Sequence, residues 1–150
     1  MTNRMQSLEE PAAELEILAG EHSQIHRRYA DLDDAILQGL GSKQIIETAR
    51  ELVRTMLLHF IHEEQFLQKI TLSPPEEQRN ARNRIMAELL KIETGLMKEQ
   101  VYAALRLRGL CRRWMREHMY VEGVEFEIAV LAANNEAAMI PGMASFAASL

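Results

Sequence analysis

The stretch LLHFIHEEQF, residues 57–66, decides how this chain is read. It is apolar at both ends, yet it carries two histidines and two glutamates in its middle. A surface helix would place such groups on its wet face, and a core helix would normally exclude them. Extending the pattern in both directions separates the two cases. Ile45, Ala49, Leu52, Met56, His59, Glu63, Phe66 and Ile70 follow one another at alternating steps of four and three, which keeps them on one face of a helix. His59 and Glu63 therefore belong to the apolar seam, between Met56 and Phe66.

The flanking sequence divides into further helices of the same kind. Gly39, Gly41 and Ser42 end one helix and open the next, and Ser73-Pro74-Pro75-Glu76 combines a capping hydroxyl, first-turn prolines and a capping-box glutamate. A weaker break falls at Thr94-Gly95. The spacing predicts helices over 12–38, 43–70, 75–93 and 98–132. The first has the stripe Leu15, Leu18, His22, Ile25, Tyr29, Leu32, Ile36. The third has Gln78, Arg82, Ile85, Leu89, Ile92, Leu96, and the fourth has Leu107, Cys111, Trp114, His118, Val121, Glu125, Ile128, with Glu122 beside that line. No strand-like alternation persists, and there is no internal repeat. The expected fold is all-α, an up-down-up-down four-helix bundle over 12–132. The tail 133–150 is set apart as a candidate short extra helix or dimer-contact segment.

Composition narrows the function classes. The chain has 150 residues, 47% of them hydrophobic and only 5% aromatic, with nine methionines, a mixture suited to helices around one core. A formal charge of −5 and the absence of a Lys/Arg run free of acidic neighbours argue against nucleic acid or an anionic membrane as partner. The arginines at 106, 108, 112, 113 and 116 read as a solvated face paired with acids. A single cysteine, Cys111, excludes an internal disulfide and reads as a small buried residue in a reducing compartment. The N-terminus lacks an apolar signal region, and Asn134, Asn135, Glu136 and Pro141 interrupt the apolar tail, so a cytoplasmic location is expected.

The seams are polar at selected points: His22 on the first helix, His59 and Glu63 on the second, Gln78 and Arg82 on the third, His118 on the fourth. Burying a carboxylate and several imidazoles without partners costs several kcal/mol, on the order of 2–7 for each uncompensated polar group. Something must satisfy them together. His59-x-x-x-Glu63 points an imidazole and a carboxylate the same way from one helix, and such groups facing a bundle interior suit iron, zinc or manganese. All five histidines, at 22, 26, 59, 62 and 118, fall within this pattern. The order in HFIHEE differs from His-Glu-x-x-His, so no zinc peptidase is expected.

In EHSQI around His22, LLHFIHEE around His59 and Glu63, and RWMREHMYVEG around Trp114 and His118, the chain resembles the hemerythrin family of non-haem diiron bundle proteins. The resemblance spans about residues 15–128. It implies that His22 and His59 are metal ligands, that Glu63 is a bridging carboxylate and that His118 is the fourth helix's histidine. It also implies iron without haem, and a role in binding dioxygen or nitric oxide, in iron handling or in redox sensing. The departures lie on the third and fourth helices. Gln78 and Arg82 stand where the family has two histidines, and Gly123 stands where it has an aspartate, with Glu122 the nearest substitute and Glu125 the next.

Two outcomes follow. One is a single ion on His22, His59 and Glu63, completed by His118 or Glu122; the other is a second ion recovered through His26 and His62. A single ion is the preferred expectation. The alternative is a buried polar layer without metal, with Arg82 paired to Glu63, in a bundle that serves as an interaction module. An enzymatic role ranks below both, because no dedicated acid–base pair or substrate pocket is legible.

Overall fold

A computed structural model describes residues 4–70 and 76–119. They form α1 (Arg4–Leu37), α2 (Ser42–Lys69), α3 (Glu76–Met97) and α4 (Val101–Trp114), followed by a single π-helical turn, Met115–Met119. There is no strand among the described residues. The expected all-α four-helix bundle is what the chain adopts. Cross-helix pairs fix the directions. Glu14 meets Lys69, His22 meets His59 and Arg28 meets Glu51, so α2 descends as α1 ascends. Glu88 meets Arg106 across α3 and α4, while Asp33 and Tyr29 meet Arg108 and Arg112 across α1 and α4. Each of these pairs is antiparallel, as an up-down-up-down order requires.

The inward stripes form the core. Ile25, Leu32, Ala49, Leu52, Val53, Met56, Phe60, Leu89, Leu107 and Cys111 are fully buried, and Trp114 closes the layer nearest the polar seam residues. Leu18, Phe66 and Leu67 form a smaller cluster beyond that polar layer. The bundle therefore has two apolar segments with His22, His59, Glu63 and Arg82 between them. The arginines of α4 do lie on the outside, with Arg106 held by Glu88 and both Arg108 and Arg112 by Asp33. No helix among the described residues is long and apolar enough to cross a membrane.

Helix limits differ from the expectation in instructive places. α1 begins at Arg4 rather than at residue 12 and runs through Pro11. A proline deprives the preceding turn of one hydrogen bond without ending the helix that continues from it. α3 does not stop at Thr94 but passes through Gly95 to Met97. Gly95 is there for closeness rather than for breaking: a Cβ on it would stand 3.0 Å from the Cβ of Ala103 and 3.2 Å from Gln100 Oε1. The fourth helix was expected over 98–132, whereas α-helix covers Val101–Trp114 before the wider turn. Residues 120–132, the 133–150 tail and the Ser73-Pro74-Pro75 signal lie outside the described residues.

Two of the connections use one device. After α1, the N–H of Leu40 bonds the carbonyl of Ala35 and that of Gly39 bonds Ile36, at 3.0 and 3.1 Å. After α3, Gln100 bonds Gly95 and Glu99 bonds Leu96, both at 3.0 Å. Both are Schellman closures, which need a left-handed residue at the turn. Gly39 supplies it at φ 64°, whereas Glu99 is forced to φ 59°. Nothing lies within 4 Å of a Cβ added at Gly39, so only backbone preference is at stake there. Gly39→Ala should therefore cost about 1 kcal/mol, and Glu99→Gly should add about 0.5–1 kcal/mol, in urea unfolding curves. Equal and like-signed shifts for the two variants would show that the closures do not carry this strain.

Candidate metal centre

His59 and Glu63 come to the interior from one turn of α2, and both are 0% exposed. His22 reaches them from α1 with a side chain 19% exposed, so it forms the rim of the site. His59 Nε2 lies 2.7 Å from Glu63 Oε1 and 2.9 Å from His22 Nε2, and His22 Nε2 lies 3.8 Å from Glu63 Oε1. Three donor atoms thus converge on one point, an arrangement that could hold a metal ion. Trp114 and Phe60 wall the site on its apolar side. The Trp114 ring stands edge-on, 5.9 Å from each imidazole and 5.4 Å from Phe60.

The orientation of His59 is fixed from behind. Its Nδ1 lies 3.1 Å from Glu21 Oε1, and the other oxygen of Glu21 accepts from Nδ1 of His62. A carboxylate cannot donate, so Nδ1 of His59 carries the proton that Glu21 accepts. The lone pair of His59 is then left on Nε2. This carboxylate–imidazole pairing is what commonly orients metal-ligating histidines. It also leaves the converging atoms in need of a cation. The Nε2 lone pair of His59 points toward a carboxylate oxygen and a second imidazole nitrogen, which repel it unless a proton or a metal ion lies among them.

Glu63 presents the same demand from its own side. It is fully buried, and neither of its oxygens has a formed hydrogen bond; its close contacts are ionic. Oε1 faces the histidines, while Oε2 lies 3.4 Å from Arg82 Nε. Burial alone would push the Glu63 carboxyl up, but His22 and His59, then the charge of Arg82, hold it down to about 2. Burial likewise pushes the His59 imidazole down, yet Glu63 and then Glu21 more than offset that and keep it above its ordinary value. A raised imidazole and a depressed carboxyl in the interior both mark a place that favours positive charge between them. Neighbouring ligands of a tetrahedral first-row ion lie roughly 3.3 Å apart, so an ion here would need the 2.7 and 2.9 Å spacings to open and the 3.8 Å spacing to close, each by about half an ångström.

The remaining sequence-derived residues are distributed as follows. Arg82 is 3% exposed and faces inward onto Glu63, with Nη1 3.0 Å from Glu64 Oε2. Gln78, one turn before it, is half-buried. His26 is exposed, and the half-buried His62 turns to Glu21; neither joins the converging donors. His118 does not join them either. Its side chain is 38% exposed beside Glu117, in a groove between α3 and α4 lined by Arg84, Ile85 and Trp114. Antiparallel register with α1 brings it to the level of His22, but the π turn alters its direction. Each residue in a turn closed on the fifth residue advances by less than the usual 100°, and Met115 and Met119 take the places against the core. Glu122 and Glu125 lie outside the described residues. Cys111 sits one turn from Trp114, and burial pushes its thiol up to about 12, which makes it inert packing.

Glu21 is the participant that the seam reading missed. A signal for it existed: it stands three residues after Leu18 and four before Ile25, on the edge of the same stripe as its neighbour His22. No protein-family model, no curated protein and no solved structure matches this chain.

The two shifted groups set opposite limbs of stability in the metal-free protein. Glu63 is depressed from 4.5 to about 2, so its contribution is present above pH 4.5 and is lost as pH falls through that interval. His59 is raised above 6.5, so its contribution is complete below pH 6.5 and is lost as pH rises through the elevated value. Denaturation midpoints measured against pH should therefore peak between 4.5 and 6.5. Glu63→Gln should flatten the acid limb; a profile identical to that of the parent would exclude Glu63 as its source.

Proposed function

We propose that this bundle is a non-haem metal-binding protein that holds one iron-like ion on His22, His59 and Glu63. In this reading it binds or senses a small diatomic ligand, or handles iron. The observation that carries the reading is Glu63 itself: a fully buried carboxylate with no formed hydrogen bond, whose Oε1 faces two imidazole nitrogens. Two imidazoles and a carboxylate are a donor set for first-row divalent ions. The similarity of EHSQI, LLHFIHEE and RWMREHMYVEG to the hemerythrin family supports iron among these, and dioxygen or nitric oxide as the ligand.

Such an ion, when bound, supplies Lewis-acid and redox chemistry together with an open position for a small ligand. The protein's own contribution is positional. Glu21 fixes the tautomer and the ring plane of His59, Trp114 and Phe60 exclude water on the apolar side, and His22 lies at the rim from which a small molecule would enter. Arg82 offsets part of the charge of Glu63, which lowers the cost of keeping the carboxylate ionised before any ion arrives.

That last contact also favours the second reading, an interaction module without metal. A guanidinium paired with Glu63 neutralises the buried charge with nothing further bound. Anaerobic titration of metal-free protein with ferrous iron separates the two, followed by calorimetry and by fluorescence of Trp114, the single tryptophan of the chain. The proposal expects one ion per chain and quenching of Trp114. Glu63→Gln should weaken binding by tenfold or more, and Glu21→Gln, acting through His59, by about 10–100-fold. No heat, no quenching and no rise in melting temperature with iron would leave the interaction module as the better account.

A further inference from the structure

The two oxygens of Glu63 serve different neighbours. Oε1 faces His22 and His59, while Oε2 is turned to Arg82 on α3, 3.4 Å from Nε. The same guanidinium reaches Glu64 with Nη1, 3.0 Å from Oε2. A permanently charged group, 3% exposed, is thus held between carboxylates from successive residues of α2. Neither Glu63 Oε2 nor Arg82 Nε has a formed hydrogen bond, so their contact is one of charge rather than of directed bonding. Carboxylate oxygens from two residues around one buried positive charge are also what a hard divalent cation takes.

We infer that the Arg82 guanidinium fills a second cation position beside the His22–His59–Glu63 site, and that Arg82 thereby limits the centre to one exchangeable ion. This rests on the metal-binding reading of that site. Arg82 is suited to the task because arginine does not lose its proton in proteins, so an arriving metal cannot displace it by deprotonation, as it can a histidine. Glu63 Oε2 is then unavailable as a bridge, and Glu64 is engaged on the far side of the same group. The nuclearity of the centre is in this way set by one side chain that is not itself a ligand.

Arg82→His tests the inference, because it removes the fixed charge and leaves a neutral donor beside the two freed carboxylates. Arg82→Lys keeps a charge on the same helix turn. Metal-free proteins are titrated with ferrous iron under anaerobic conditions, and the ions retained after desalting are counted by elemental analysis. The expected counts are one for the parent and for Arg82→Lys, and two for Arg82→His. One ion in Arg82→His overturns the inference and leaves the single-ion reading standing. Two ions in the parent or in Arg82→Lys also overturn it. No ion in either the parent or Arg82→His removes both ideas. No ion in the parent but uptake by Arg82→His overturns both, since the guanidinium would then exclude the first ion rather than the second. Should Arg82→His fail to fold, Arg82→Gln carries the same comparison: a second, weaker ion supports the inference, and a single ion overturns it.

Discussion

The structure depends on one constraint: the carboxylate of Glu63 is ionised in a place that water does not reach. A charge in that position is tolerated only if positive charge is brought to it from nearby. Each of the three helices in contact with it answers. α1 brings His22, α2 brings His59 from one turn earlier, and α3 brings Arg82. The apolar segments on either side, centred on Met56 and Trp114 in one direction and on Phe66 in the other, keep solvent out and so keep the demand strong.

The compensation is divided, and the division gives the site its chemistry. On one side of Glu63 the positive charge is permanent and belongs to the chain. On the other side it is exchangeable, because imidazole can take a proton or yield its lone pair to an ion. Glu21 decides which nitrogen of His59 faces inward, and its second oxygen ties the half-exposed His62 to the same arrangement. The result is an asymmetric centre in which two imidazoles and a guanidinium flank one carboxylate.

Much of this was legible in the sequence because bundle seams are strict. Alternating steps of four and three placed His59, Glu63 and Arg82 inside, and the cost of an unpaired guanidinium there called for a carboxylate partner, Glu63 or Glu122. His22 followed from the same spacing. His118 did not follow, since the spacing that placed it assumed an unbroken α-helix, and the wide turn Met115–Met119 takes it off that line. Glu21 was hidden for another reason. It flanks the stripe rather than lying on its centre, and an acidic residue at such a position ordinarily goes to solvent. Gly95 shows the same limit in the backbone, because a glycine read as a break is instead a point of close contact between helices.

Anomalous X-ray scattering at the iron edge, on crystals of the protein grown with ferrous iron, tests the central claim most directly. The account predicts one peak per chain, among His22 Nε2, His59 Nε2 and Glu63 Oε1, with Arg82 still against the other oxygen of Glu63. Absence of a peak there, with full occupancy elsewhere or none at all, would contradict it.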